Sequence, residues 1–259
     1  MIEFILSLPT WFGCAFAMVS TTVLGLVVYV VSYKLIEKSK NVNLKEPINN
    51  LFRLVGILVS LMLSLAFGEV IAEWHAIKNA IDREAVAISD TYISLKYFDS
   101  EGTKEIRAIL IEYAQAVIDD DWPAMAKDQL GQRTSALKRQ VTEKVIELKP
   151  TNSIQKEIRS HILADIDTMS DYRLIRLNHS MAKPPVYILV IIFGFLVSMA
   201  CFGAYQPQFP LIALVSLCTL FIGMVLYLIL AMSDPFQGAT IIDPTPFEYL
   251  IEALESGMR

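Results

Sequence analysis

Histidine and cysteine are scarce in this chain, three of each in 259 residues. His75, His161 and His179 have no partner at the H-x-x-x-H or E-x-x-H spacing of a zinc site, so each reads as a surface or packing residue. Cys14, Cys201 and Cys218 all fall inside apolar segments. An odd number of cysteines in such segments is poor material for a disulfide framework, and they read as small apolar fillers. A basic excess is also missing: the net charge of −5 leaves no footprint for nucleic acid. There is no Gly-x-Ser-x-Gly, phosphate loop, HExxH or intramembrane acid pair. The expectation is therefore no enzyme, no metal and no cofactor. Strand-like alternation of useful length and internal repeats are absent too, which leaves sheet architectures without a starting point.

What the chain has in abundance is hydrocarbon-compatible sequence. Apolar residues make up 54% of it, and its mean hydropathy is +0.47, values of a membrane protein rather than a soluble domain. Residues 51–98 organise the rest. Within them, 51–67 carries only Arg53 as a charge, whereas 68–98 is charged and amphipathic. No proline interrupts the run, which predicts one helix of roughly 70 Å, about half of it in lipid. Gly56, Ser60 and Ser64 recur at every fourth position of the apolar part. The aqueous part keeps a row of Ile77, Ile81, Ala85, Ile88 and Tyr92, the spacing of a packed helix.

Residues 1–9 lack a positively charged n-region, and the apolar run after them is too long for a signal peptide. Residues 11–31 are therefore expected to persist as span one, with Trp11 and Tyr29 at headgroup level and Thr21, Thr22 and Gly25 as a helix-packing face. A loop follows with Lys34, Lys38, Lys40 and Lys45 against Glu37 and Glu46, ended by Pro47. Span two, within 1–71, leaves the bilayer near Glu69, Glu73, Trp74 and His75. Residues 72–183 read as a helical soluble domain. Ser100 or Thr103 starts a helix with Ile106, Ile109, Leu110, Tyr113 and Val117 on one face, predicted to end at Asp119, Asp120 and Asp121. Asp121 is a candidate N-cap, with Pro123 just inside, for a helix running to Leu148 before Lys149-Pro150. Thr151, Asn152 or Ser153 caps a last long helix through Ile154, Ile158, Ile162, Ile166 and Met169, closed by Pro184-Pro185. Spans three and four, residues 186–204 and 211–232, form a hairpin within 184–232. Residues 233–259 are an acidic tail ending in a short amphipathic helix, 246–254. The positive-inside rule puts the basic loop in the cytoplasm, and so the helical domain on the outer side of a bacterial inner membrane. Lys78, Arg83, Arg173, Arg176 and Lys183 argue for the opposite side, and the choice stays open.

Three places carry a resemblance. The first is Leu61-Met62-Leu63-Ser64-Leu65-Ala66-Phe67, followed by Asp82-Arg83-Glu84-Ala85 and Ala87-Ile88. The second is Tyr113-Ala114 leading to Asp121-Trp122-Pro123-Ala124-Met125. The third is Asp234-Pro235-Phe236-Gln237-Gly238, then Pro244-Thr245-Pro246-Phe247. In this order, over nearly the whole chain, they resemble the bestrophin-like membrane proteins, a group also catalogued as a domain family of unknown function. Many members carry a basic residue before the Pro-Phe pair where this chain has Asp234, so no role for positive charge is carried over there. The resemblance implies a layout similar to bestrophins, ring-shaped anion channels whose second span lines a central pore and continues into a helical domain. It further implies a homo-oligomer, a pentamer by that likeness, with membrane lipid and small inorganic ions as its partners.

Two readings compete at each candidate site. Gly56, Ser60, Ser64 and Phe67 could form stacked rings around a pore, with hydroxyls replacing lost hydration and Phe67 as an apolar constriction. The plainer and favoured reading is that small residues every fourth position let two helices approach closely. Glu69 and Glu73, one turn apart at the mouth, would favour cations as rings, which sits awkwardly with an anion channel. The favoured alternative leaves them interfacial, solvated, or paired with Arg83 or Lys183. Asp119 to Asp121 offer oxygens to a divalent cation, but consecutive side chains diverge, so a helix cap and solvated turn is expected. Asp234, Pro235, Phe236 and Gly238 read as a turn at the membrane exit that anchors the tail against the soluble domain, with a ligand or gating role as the rarer alternative.

The expected fold is all-α: four transmembrane helices with a long helical soluble domain inserted between spans two and three. The expected function is an oligomeric, multi-pass ion channel with span two lining the path. The alternative is a non-conducting membrane scaffold or sensor whose soluble helices bind a partner protein. A polar stripe of span two facing a shared axis favours the first; a span two buried within one protomer favours the second.

Overall fold

A computed structural model describes residues 10–38, 45–98, 100–127, 129–180, 187–236 and 240–256, and among them every regular element is a helix. In chain order these are α1 (Thr10–Lys38), α2 (Lys45–Phe98), α3 (Glu101–Ala116), a π-turn (Val117–Asp121), α4 (Trp122–Met125), α5 (Gln132–Glu147) and α6 (Ser153–Ser180). Then come α7 (Tyr187–Cys201), a 3-10 turn (Phe202–Ala204), α8 (Phe209–Met232) and α9 (Thr245–Ser256). Lys40, Lys183, Pro184, Pro185 and Gly238, all singled out above, lie outside the described residues, as does the side chain of His179. The chain forms two compact units, Met1–Ala72 with Lys183–Thr240, and Glu73–Ala182 with Ile241–Arg259.

In the first unit α1, α2 and α8 are long and apolar enough to cross a membrane. A fourth apolar segment, Ile188–Ala204, is shorter. At 1.5 Å per residue it reaches about 26 Å, a little under a typical hydrocarbon core. Small residues decide how these helices meet. A Cβ on Gly223 of α8 would collide with the Thr21 hydroxyl, and one on Gly25 of α1 would lie 2.7 Å from Thr219 Cγ2. Thr219 Oγ1 donates to Thr22 Oγ1 at 3.2 Å, and Thr21 Oγ1 reaches the Thr219 carbonyl at 3.3 Å. Thr21, Thr22 and Gly25 thus form the face on which α1 packs against α8. Gly194 of α7 seats Val59 of α2 in the same way. Ala66 and Val70 of α2 complete this contact with Ile188, Ile191 and Ile229. The Tyr205 hydroxyl donates to Asn49 Oδ1 at 2.7 Å at the other end of the unit.

In the second unit the aqueous part of α2 buries Ile77, Ile81, Ala85, Ile88 and Tyr92, the row read from spacing, and extends it to Leu95 and Phe98. Ile106, Leu110, Tyr113, Val141, Val145, Ile162, Ile166 and Met169 are buried in the same unit. Asn152 is the cap of α6: its Oδ1 accepts the Gln155 N–H at 2.7 Å. Gln155 Oε1 in turn accepts the Thr151 N–H at 2.8 Å.

Several boundaries differ from the sequence expectation. The basic loop is shorter, because Lys34, Glu37 and Lys38 lie on α1 and Lys45, Glu46 and Pro47 in the first turn of α2. The aspartates do not end the helix that begins at Glu101. One π-turn carries the chain through them into α4, and the break falls later, between Met125 and Gln132. Asp121 is no N-cap either. Its backbone is helical, φ −66° and ψ −45°, and its side chain makes no capping bond. Asp120 takes the capping role at a distance, accepting the Thr134 N–H at 3.0 Å in the first turn of α5.

Candidate functional site

Ser60, Ser64 and Gly68 lie on a side of α2 that is exposed among the described residues. With 100° per residue, Ser64 and Gly68 fall opposite the buried pair Ala66 and Val70. Ile57, Leu61 and Leu65 share that uncovered side at 68%, 53% and 60% exposure. Ser60 and Ser64 are exposed, and their hydroxyls donate back to the carbonyls of Ile57 and Ser60, each at 2.9 Å. Each oxygen therefore keeps free acceptor capacity. A Cβ on Gly56 or Gly68 would meet nothing within 4 Å. An open hollow of about 510 Å³ lies here, bounded by Met62, Ser64, Leu65, Gly68 and Glu69. Phe67 is only half exposed, because it packs on the Ala66 and Val70 cluster. Glu69 is exposed, while Glu73 is half-buried and belongs to the second unit.

The chemistry of the second unit centres on a buried ionic cluster. Arg176, fully buried, forks onto Glu84 with Nε to Oε2 at 2.9 Å and Nη2 to Oε1 at 3.2 Å. The same Nη2 donates to Asp121 Oδ2 at 3.0 Å. Arg173 forks onto Asp121 at 2.8 and 2.9 Å and also reaches Ser135 Oγ at 3.0 Å. The Tyr113 hydroxyl donates to Glu84 Oε1 at 2.9 Å. The Arg176 guanidinium lies 5.1 Å from the Trp122 ring and 5.9 Å from that of Phe247, and Trp122 Nε1 donates to the Ile242 carbonyl at 3.0 Å. Two carboxylates face two guanidiniums, so the cluster is neutral as a whole. Burial works against both guanidinium charges, but Glu84 and Asp121 outweigh it and hold Arg176 above its ordinary range. Burial, then Glu84, push the Tyr113 phenol well above its usual 10.0, so it stays a donor.

A bestrophin-like domain model matches residues 19–247. The chain belongs to the bestrophin-like family. Among solved structures, a point variant of a bacterial bestrophin homologue from Klebsiella pneumoniae superposes with a TM-score of 0.70 at 12% identity, over 94% of this chain and 98% of that one. A second crystal structure of the Klebsiella homologue gives 0.67 at 13%, over 94% and 96%. One described only as a membrane protein variant gives 0.64 at 13%, over 95% and 97%. At such identities the likeness concerns the fold alone. No curated protein matches the chain.

The stretches that resembled this family converge in the cluster. Glu84 comes from the first, Asp121, Trp122 and Met125 from the second, and Phe247 from the third, all gathered on Arg176, while Tyr113, also from the second, bonds Glu84. The other half of the third, Asp234, Pro235 and Phe236, sits in the membrane unit, with Pro235 and Phe236 buried. Within the helical unit the tail buries Ile242, Phe247, Leu250 and Leu254. Asp119 and Asp120 are engaged by Gln115 Nε2 and Thr134, at 3.0 Å in each case. The Glu84–Arg176 and Asp121–Arg173 pairing was not foreseen from sequence. A signal for it existed, because Arg173 and Arg176 continue the buried row Ile162, Ile166, Met169 at helical spacing.

Proposed function

We propose that this bestrophin-like membrane protein assembles into a homo-oligomeric, multi-pass ion channel, with the uncovered face of α2 along the conducting path. The observation that carries the reading is the placement of Ser60, Ser64 and Gly68 on the side of span two that its own chain does not cover. Apolar residues can face lipid at no cost, but a hydroxyl stripe is better placed against water or ions. Family likeness supplies the finer parts of the proposal: four spans, a pentamer, a bacterial inner membrane and an anion as the conducted species. The acidic end of the face pulls the other way on selectivity. No lysine or arginine occurs between Arg53 and Lys78, while Glu69 and Glu73 do. No enzymatic activity is proposed.

The test is flux into liposomes carrying the purified protein under chloride and potassium gradients, with Phe67→Ala, Ser64→Phe and Glu69→Gln. Conduction should fall with Ser64→Phe and change with Phe67→Ala, and Glu69→Gln should raise the chloride share. Flux indifferent to all three would move the path elsewhere. No flux from an intact oligomer would turn the reading to a scaffold, for which Val86, Ile93 and Tyr97 offer an exposed apolar stripe on the helical unit.

A further inference from the structure

A second hollow lies within the helical unit. It measures about 500 Å³ and is lined by Trp74, Lys78 and Asp82 of α2 and by Ile241, Asp243 and Tyr249 beside the start of α9. That is the size of a small-molecule site, and its walls mix apolar surface with a few charges, as such sites do. Asp82 and Asp243 make no ion pair or hydrogen bond among the described residues. The Trp74 ring already carries a cation, Lys78 Nζ, 4.7 Å from its centroid. Its Nε1 is closed off from solvent without a hydrogen-bond partner among the described residues, a state that folded proteins rarely leave unexplained. Tyr249 and Ile241, 69% and 52% exposed, leave an uncovered apolar wall. Two carboxylates against one ammonium give the lining a net negative charge.

We propose that this hollow binds a small primary ammonium compound. The ammonium is held by Asp82 and Asp243, and the apolar body of the ligand lies against Ile241 and the Tyr249 ring. An anionic group elsewhere on the ligand meets Lys78. Two sources share this chemistry, a free amine and the ethanolamine headgroup of a lipid. Trp74 lies about 10 Å of helix beyond Phe67, where the apolar run ends, within reach of headgroups.

The experiment uses the full-length protein in detergent. Phenethylamine and its neutral counterpart 2-phenylethanol are titrated calorimetrically into the natural sequence, Asp82→Asn and Asp243→Asn. In parallel, native mass spectrometry compares retention of phosphatidylethanolamine and phosphatidylglycerol. Both aspartates are exposed, so the asparagine variants should keep their unfolding midpoints. Saturable binding of the amine, about tenfold tighter than the alcohol and lost to a similar degree in either variant, supports the site and a free amine as its ligand. Selective retention of the ethanolamine lipid alone, weakened in the variants, supports it with a headgroup as ligand. Equal binding of amine and alcohol without selectivity between the lipids, or binding indifferent to both substitutions, overturns it. Each readout is binding rather than flux, so its failure is distinct from failure of the channel reading.

Discussion

At the scale of single residues, Arg176 carries the largest consequence. It joins Glu84 to Asp121 in the absence of solvent, so removing it leaves a carboxylate buried without its partner. Arg176→Met should destabilise the protein by about 3–5 kcal/mol, read from denaturant unfolding of the purified protein. Glu84→Gln added to it should recover part of that loss, because the orphaned charge goes with it. Tyr113 adds a pH dependence of definite sign. Its phenol ionises above 10.0 in the folded protein, whereas the unfolded chain ionises at the ordinary value. Stability from this group is therefore complete below pH 10 and declines as pH rises beyond it toward the folded value. Tyr113→Phe should flatten that alkaline decline in unfolding measured from pH 9 to 11. Sequence made half of this cluster visible. Glu84, Tyr113 and Asp121 stood in recognisable stretches, but nothing local paired them with arginines 92 and 52 positions away.

At the scale of elements, the helices were legible wherever their faces are set by local spacing, as in the rows through Ile77 and Ile162. The break after Met125 was not. The residues from Ala126 to Gly131 have no strong helix breaker before the glycine, and what fixes Gly131 before the next helix is tertiary. A Cβ at Gly131 would collide with the Asp121 carboxylate, and Arg173 Nη2 takes the Gly131 carbonyl at 3.4 Å. The π-turn before it adds one residue to the helical repeat, which turns Asp121 inward where a regular helix would have left it as a cap. Glycines on the membrane helices separate in the same physical terms. Gly223→Leu must push α1 off α8 and should cost about 1–3 kcal/mol, seen as a lower thermal midpoint in detergent. Gly68→Ala enters open space, so within one chain it should be neutral or stabilise α2 by up to about 1 kcal/mol.

At the scale of the whole molecule, the question is what covers α2. Only 11% of the most apolar window of α2 is buried within the chain, against 33% for α8. Lipid can cover the leucines, but it offers no donor to the acceptor lone pairs that Ser60 and Ser64 keep after bonding their own helix. Three environments for that face predict different results for the double substitution Ser60→Leu/Ser64→Leu. If the face lies in lipid, oligomer mass by light scattering and flux both stay as they were. If it is a close contact between two helices, added bulk lowers the mass before any question of flux arises. If it borders a shared aqueous path, the mass holds while conduction falls, because hydroxyls that replace hydration are exchanged for a dry constriction. The last outcome is the expected one. It rests on the proposed path along α2, and it is consistent with the open space around Gly56 and Gly68 and with the hollow of about 510 Å³ beside Ser64 and Glu69.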